Sequence, residues 1–166
     1  MSQKKKRLKI IGIGQSFRGD DAIGIIIVEE WRKLCLSFID EHGVESEISS
    51  LPGLGLIDMM AGFETIIFVD AVQTGINLPG TIYKLREKQL ASFVSGSKST
   101  HGWGAAESLR LGRELKIDEM PETVRVLGVE AGQFEVGADV SPEIQIKVKE
   151  IVETLQGMIE EEINKN

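Results

Sequence analysis

The fold is decided by the stretch Gly12-Ile-Gly-Gln-Ser-Phe-Arg-Gly-Asp-Asp-Ala-Ile-Gly24, which joins a short apolar run to an amphipathic one. The run before it, residues 8–13, is typical of a buried parallel strand. The run after it, residues 23–34, repeats its apolar residues at helical spacing. The glycines between them allow the backbone to turn sharply or to approach a ligand closely. Asp20 and Asp21 are therefore expected at the start of a helix, above the carboxyl end of a strand.

The two adjacent acids are expected to differ in role. Asp is a good N-cap and its charge suits the positive end of the helix dipole, so Asp20 is interpreted as the cap of the helix that it precedes. A second carboxylate cannot cap the same amides equally well, and ligands of open α/β sheets bind at this carboxyl edge. Asp21 is therefore the better candidate for a functional site.

The composition indicates one globular domain over residues 1–166. Of these residues 42% are hydrophobic and 27% charged, which suits a sizeable core. The net charge of −7 argues against a nucleic-acid surface, which would need a basic face, and favours a small ligand or a protein as partner. Residues 1–7, which end in four basic residues, are expected to form a flexible tail. The apolar stretch after them is too short for a signal peptide or a membrane span.

The single cysteine, Cys35, excludes an internal disulfide and a cysteine-rich zinc site. It is predicted to pack within the first helix. A cytoplasmic location is therefore expected, because disulfides are rare in that compartment.

The whole chain predicts a three-layer α/β/α sandwich with a mixed, mostly parallel five-stranded sheet. After the first strand, further strands are predicted over residues 44–50, 65–69, 81–85 and 123–129. The β-prone run 65–69 is expected at the centre of the sheet. The turn before residue 81 predicts that the fourth strand is the antiparallel member of a hairpin.

Three further helices are predicted. The first follows the Pro/Gly-rich residues 51–56 and ends near Gly62, and the second covers residues 105–115. The last begins at Ser141-Pro142, with Ser as N-cap and Pro at the first helical position. Its acidic residues 160–162 are expected to be solvated.

Two more polar residues are candidates for the edge of the sheet that carries Asp21. Asp70 follows the central strand, although Asp there is also typical of a turn that bonds its own backbone. His101 precedes a helix, although a lone His is most simply a surface or capping residue. Two carboxylates and one imidazole would form a three-ligand set for a divalent transition metal, with positions left open for water or substrate.

Several motifs follow one another along almost the whole chain: Gly12-Ile-Gly14 with Gly19-Asp-Asp-Ala-Ile-Gly24, Val69-Asp-Ala71 with Pro79-Gly-Thr81, His101-Gly102, and Leu127-Gly-Val-Glu130 with Val140-Ser-Pro142. In these motifs and their order the chain resembles the hydrogenase maturation proteases. Members of that family are endopeptidases that trim the C-terminal extension from the large subunit of nickel-iron hydrogenases. Each motif is weak alone, and together they are specific.

The resemblance implies an aspartyl-type endopeptidase whose metal-binding positions fall on Asp21, Asp70 and His101. It implies that these residues recognise nickel already installed in the large-subunit precursor, with another divalent metal as the alternative, and that cleavage follows only when the metal is present. Asp21 and Asp70 would be catalytic, and the base stays open between them. Asp20 would cap the helix and orient its neighbour. The implied partner is the precursor, with no nucleic acid or membrane, and a monomer is favoured.

Two departures from the family pattern stand out. Gln15 lies where the family commonly has Asn after Gly-x-Gly, which is a mild amide exchange. Ser50-Leu51-Pro52 replaces the usual Gly-Thr after the second strand, although Gly53 remains. That second departure lies in a loop that could contact substrate, so it leaves open which hydrogenase is processed.

Two other functions compete with proteolysis. A dinucleotide-binding domain would explain Gly12-x-Gly14 between a strand and a helix, but Phe17 replaces the third glycine, and Asp20 and Asp21 would repel a pyrophosphate. A nickel-dependent binding or chaperone-like protein would keep the fold and the metal site without catalysis.

Overall fold

The computed structural model describes residues 5–50, 53–90, 102–115 and 118–165. Its five-stranded sheet has the order β2-β1-β3-β5-β4. Strands β1, β2, β3 and β5 are parallel to one another, and β4 is antiparallel to β5. The strands are β1 Lys6–Ile13, β2 Glu45–Ser49, β3 Phe63–Val72, β4 Ile82–Arg86 and β5 Thr123–Glu130. The predicted mixed, mostly parallel sheet with residues 65–69 at its centre is confirmed.

Helices cover both faces of this sheet, which confirms the three-layer sandwich. One core packs between the sheet and helices α1 and α6, and a second core packs between the opposite face and helices α3 and α4. The helices are α1 Ile23–Leu34, α2 Leu36–His42, α3 Leu54–Met60, α4 Gly102–Leu115, α5 Pro142–Gln145 and α6 Val148–Ile163. A 3-10 turn, Gly19–Ala22, precedes α1. Within the described ranges, none of the helices combines the length and apolar character that crossing a bilayer requires.

The central strand β3 shows why the strands are apolar on both sides. Ile67 and Val69 pack in the core beneath α1 and α6, whereas Ile66 and Phe68 pack in the core beneath α3 and α4. A strand between two helical layers has no solvated face, so it loses the usual alternation of polar and apolar residues. By the same alternation Asp70 lies on the α3 and α4 side of the sheet.

Three predictions about helices need correction. Cys35 does not lie within a helix: it separates α1 from α2, and its φ of −119° and ψ of 25° break the helical backbone. The amphipathic pattern continues through α2, so periodicity alone does not mark this break. The closing helix is likewise divided into α5 and α6. The acidic run 160–162 is not wholly solvated, because Glu162 is buried against Arg125.

Two predictions about strands also need correction. Strand β1 already begins at Lys6, so the flexible tail expected over residues 1–7 extends too far. Strand β4 is not the hairpin partner of β3, because it pairs with β5 at the edge of the sheet. The burial of the two strands explains this order: β5 is buried over nearly its whole length, whereas β4 has exposed and half-buried positions that suit an edge.

Candidate functional site

The turn after β1 packs tightly against the carboxyl edge of the sheet. A Cβ atom added to Gly14 would lie 2.0 Å from the backbone oxygen of Asp21. One added to Gly24 would lie 2.2 Å from the oxygen of Ile13 and 2.4 Å from that of Val69. No side chain fits at either position. The two glycines therefore allow the start of α1 to contact the ends of β1 and β3 together.

Asp21 and Asp70 both lie at this edge, and both are buried. Asp21 belongs to the 3-10 turn and is wholly inaccessible to solvent. Asp70 is 3% exposed and lies within β3, in register with Gly128 of β5. The predictions that Asp70 follows the strand or begins a turn are therefore wrong. Strand β3 continues to Val72 because β5 offers it a pairing partner as far as Glu130.

The third candidate, His101, lies outside the described residues. Helix α4 begins at the next residue, Gly102, and packs on the face of the sheet that carries Asp70. Among the described residues, which leave out residue 101, no three His, Cys, Asp or Glu residues are grouped so that they could hold a metal ion. The structure thus brings Asp21 and Asp70 to one edge, and the assignment of all three residues as metal ligands stays a prediction.

Asp20 does not cap the helix that follows it, contrary to the prediction. Neither the 3-10 turn nor α1 has a side-chain cap. Its Oδ2 accepts hydrogen bonds from the backbone amides of Gly132 (2.8 Å) and Gln133 (3.1 Å), and its Oδ1 accepts one from that of Ser141 (2.6 Å). The Ser141 hydroxyl also donates to Oδ2, at 2.8 Å. Asp20 belongs to the 3-10 turn, and through these hydrogen bonds its side chain joins that turn to the loop after β5 and to the start of α5.

Ser141 also differs from its predicted role. The helix does begin where expected, with Pro142 at its first position, but the Ser141 side chain makes no capping bond. Its hydroxyl donates to Asp20 instead. A charged acceptor forms a stronger hydrogen bond than a neutral one, which favours this arrangement.

Glu130 holds a second loop in a similar way, and sequence analysis missed this role. It is 1% exposed and accepts hydrogen bonds from the backbone amides of Thr74 and Gly75, each at 2.9 Å. The hydroxyls of Thr74 and Tyr83 donate to it at 2.7 Å each. The available sequence signal was a charged residue directly after the mostly apolar run 123–129.

The backbone amides of the 3-10 turn before α1 are not available to bind a phosphate group. The backbone amides of Gly19, Asp20 and Asp21 already donate to carbonyl oxygens of the protein, at 3.1, 3.2 and 3.2 Å. A pyrophosphate at a helix N-terminus needs such amides to be available. The arrangement therefore argues against the dinucleotide-binding alternative.

Neither the position of Cys35 nor the pKa of its thiol suits a nucleophile. It follows the last turn of α1, at the end of that helix opposite to Asp21. Burial raises the pKa of its thiol. Because the thiolate is the reactive form, cysteine chemistry finds no support here.

Within the described part of the chain, four buried acidic residues thus lie at this edge: Asp20, Asp21, Asp70 and Glu130. The donors to Asp20 and Glu130 are amides and hydroxyls, which carry no net charge. Neutral donors stabilise a carboxylate without cancelling its charge. Carboxylate groups are suitable ligands for a cation and can accept a proton.

The chain is similar to known hydrogenase maturation proteases. The family model of the HycI hydrogenase maturation protease matches residues 51–161. The Hydrogenase 2 maturation protease of Escherichia coli (strain K12) is 26% identical over 155 residues, which cover 93% of this chain and 92% of that protein.

Solved structures share the fold. The hydrogenase maturating endopeptidase HybD from E. coli has a TM-score of 0.77 at 24% identity, with 93% of each chain covered. The NiFe hydrogenase maturation protease HybD from Thermococcus kodakarensis has a TM-score of 0.71 at 21% identity, over 92% of this chain and 98% of that one.

Proposed function

The chain belongs to the hydrogenase maturation protease family and is a peptidase, and we propose that it removes a C-terminal peptide from the large-subunit precursor of a nickel-iron hydrogenase. Nickel already bound in that precursor is the signal for cleavage. The observation that supports this best is the pair of buried acids, Asp21 and Asp70, at the edge of the sheet. In open α/β sheets this edge is where ligands bind.

In this proposal Asp21, Asp70 and His101 contact the nickel that arrives with the substrate. Carboxylate and imidazole groups are suitable ligands for a divalent transition metal. Asp70 lies on the face of the sheet against which α4 packs, and His101 directly precedes that helix, so the chain order favours their approach. Bound nickel would supply Lewis-acid polarisation of the scissile carbonyl.

Proton transfer falls to the two acids. Asp21 or Asp70 accepts a proton from the attacking water, and the proton then goes to the leaving amine. Their burial limits competing contacts with solvent and keeps the side chains in fixed positions. Asp20, the neighbour of Asp21, fixes the backbone of the turn through its bonds to Gly132, Gln133 and Ser141.

The direct test compares the two metal states of the precursor. Purified protein is incubated with nickel-loaded and nickel-free large-subunit precursor, and the products are weighed by mass spectrometry. We expect loss of a C-terminal peptide from the loaded form only. Equal cleavage of both forms would contradict the nickel signal. If neither form is cut, while a known maturation enzyme cuts the loaded one, the binding-only alternative replaces proteolysis.

The two histidines of the chain provide a matched pair of variants. The substitution His101→Ala is expected to abolish processing. His42→Ala is expected to leave processing unchanged, because His42 ends α2 and stacks on Phe38. A fully active His101→Ala protein would remove His101 from the site.

A further inference from the structure

Among the residues that the structure describes, four large apolar side chains are exposed on the loops at the carboxyl edge. They are Phe17, Ile76, Leu78 and Val136, each between 81% and 84% exposed, and we name them the apolar rim. Phe17 follows β1, Ile76 and Leu78 follow β3, and Val136 follows β5. All four therefore lie on loops that leave the same edge of the parallel strands. Exposed apolar side chains grouped in this way are typical of binding surfaces.

The three loops contact one another. The amide of Gly137 donates to the oxygen of Phe17 at 2.8 Å, which joins the loop after β1 to the loop after β5. The side chain of Gln73 donates to the oxygen of Gly132 at 3.4 Å, and Pro79 packs beside Gly132. These contacts join the loop after β3 to the loop after β5. The apolar rim is thus carried by one connected piece of structure.

Each side of the apolar rim is also anchored to a buried acid. Asp20 fixes the loop that carries Val136, through Gly132, Gln133 and Ser141. Glu130 fixes the loop that carries Ile76, through Thr74 and Gly75. An apolar side chain on a fixed loop loses little further freedom when a partner covers it, which favours binding.

We propose that the apolar rim is the docking surface for the precursor, and that it selects apolar side chains in the polypeptide segment flanking the scissile bond. The inference rests on the proposed function, which requires a polypeptide chain to reach Asp21 and Asp70. Phe17 precedes Asp21 by four residues and Ile76 follows Asp70 by six. The loops of the apolar rim leave the same strands, β1 and β3, whose carboxyl ends position Asp21 and Asp70, so the rim lies at the edge that the proposed substrate has to approach. The acids interact with the metal, and the rim supplies the apolar contact area.

The test separates binding from cleavage. Two double variants, Phe17→Ser with Val136→Ser and Ile76→Ser with Leu78→Ser, are compared with the unchanged chain. Binding of nickel-loaded precursor is measured in an Asp21→Asn background, where cleavage is not expected, and KM and kcat are measured in the active protein. We expect each pair to raise Kd and KM about tenfold and to leave kcat unchanged.

A matched control uses exposed apolar residues at the opposite end of α1. Leu34 and Leu36 are 67% and 63% exposed, and Leu34→Ser with Leu36→Ser is expected to leave Kd and KM unchanged. The single variant Phe17→Leu keeps an apolar side chain and is expected to retain binding. Circular dichroism checks that every variant is folded.

The outcomes distinguish this inference from the proposed function. Unchanged Kd and KM in both folded double variants would overturn the docking surface while the protease assignment stands. Precursor that binds through the apolar rim but is cut in neither metal state would overturn the protease assignment and leave the docking surface intact. If the double variants self-associate less than the unchanged chain but bind the precursor equally well, the apolar rim binds a second copy of this chain and the proposal is overturned.

Discussion

The acidic residues at the two ends of the sheet differ in the groups that pair with them. At the amino end Arg125 lies between Glu161 and Glu162, with its Nη1 at 2.7 Å and 2.9 Å from their oxygens. At the carboxyl end Asp20 and Glu130 accept hydrogen bonds from neutral amides and hydroxyls. Arg125 thus compensates the charges of Glu161 and Glu162, whereas the groups that donate to Asp20 and Glu130 carry no charge.

The two kinds of contact stabilise different parts of the molecule: Arg125 joins β5 to α6, whereas the bonds to Asp20 and Glu130 fix the loops at the edge that carries Asp21 and Asp70. The amino end also has a cavity of about 160 Å³ lined by groups of both signs, among them Arg7, Glu64, Glu162 and Lys165. An acid paired with Arg or Lys gains little from a metal ion, because its charge is already compensated. Glu161 and Glu162 are therefore expected to contribute to stability, whereas Asp21 and Asp70, at the edge where ligands of open α/β sheets bind, are expected to control activity.

The largest expected effect is at the carboxyl edge. Asp21→Asn or Asp70→Asn is expected to lower kcat/KM for the loaded precursor by about 100-fold or more, because a proton acceptor and metal ligand is removed. The amide has nearly the shape of the acid, so the fold is expected to persist. The control is Asp40→Asn, an exposed acid on α2. If the Asp21→Asn or Asp70→Asn variant processes the precursor at an initial rate within twofold of that of the unchanged chain, the substituted residue does not belong to the site.

The next effect is at the amino end and concerns stability. Arg125→Met is expected to lower the free energy of unfolding by about 3 kcal/mol, because it removes the buried cation that pairs with the Glu162 carboxylate and leaves only the half-exposed Lys165 beside it. Processing by the folded variant is expected to stay unchanged. Urea unfolding measures the first expectation and the processing assay the second. Loss of activity without loss of stability would contradict the proposed division between the two ends.

A substitution of Asp20 is expected to affect both the free energy of unfolding and the processing kinetics, each by less than the substitutions above. Asp20→Ala leaves the amides of Gly132, Gln133 and Ser141 without their acceptor, at a cost of about 2 kcal/mol. It also releases the loop that carries Val136, so KM for the precursor is expected to rise. Unfolding curves and steady-state kinetics measure the two effects. An unchanged KM in a destabilised variant would make the role of Asp20 purely structural.

The smallest expected effect is a pH dependence at the amino end. The hydrogen bond from Arg125 holds the pKa of Glu161 below its ordinary value. A lowered pKa means that the folded state favours the charged form, so this stabilisation is present at neutral pH. It is lost as the pH falls below about 4.3 toward the pKa of the folded state.

The control for this pH effect is Glu161→Gln, measured by urea unfolding at several pH values. Its stability is expected to vary less between pH 6 and pH 3 than that of the unchanged chain. The effect is small because the Glu161 side chain is 53% exposed. Identical pH profiles would show that Glu161 does not contribute.

The sequence predicted those features that depend on local patterns. The apolar run 65–69 and the glycine-rich turn indicated the central strand, the helix after β1 and the edge that carries Asp21 and Asp70. These signals work because periodicity and glycine placement restrict the nearby backbone directly.

Features that depend on distant partners could not be predicted in this way. Asp20 takes its donors from residues more than a hundred positions away, so its local pattern indicated a helix cap instead. The position of β4 depends on the burial of β5, and the role of Glu130 depends on Tyr83 in β4. No local pattern encodes these choices.

The bond between Asp20 and Ser141 also has a consequence for biosynthesis. It joins residues 121 positions apart, so the turn that carries Asp21 lacks this support until the ribosome has made Ser141. Contacts between distant residues form late in folding, because a long loop must close first. The carboxyl edge is thus completed only after Ser141 has been made, and a nascent chain that already has β1, β2 and β3 is not yet a working protease.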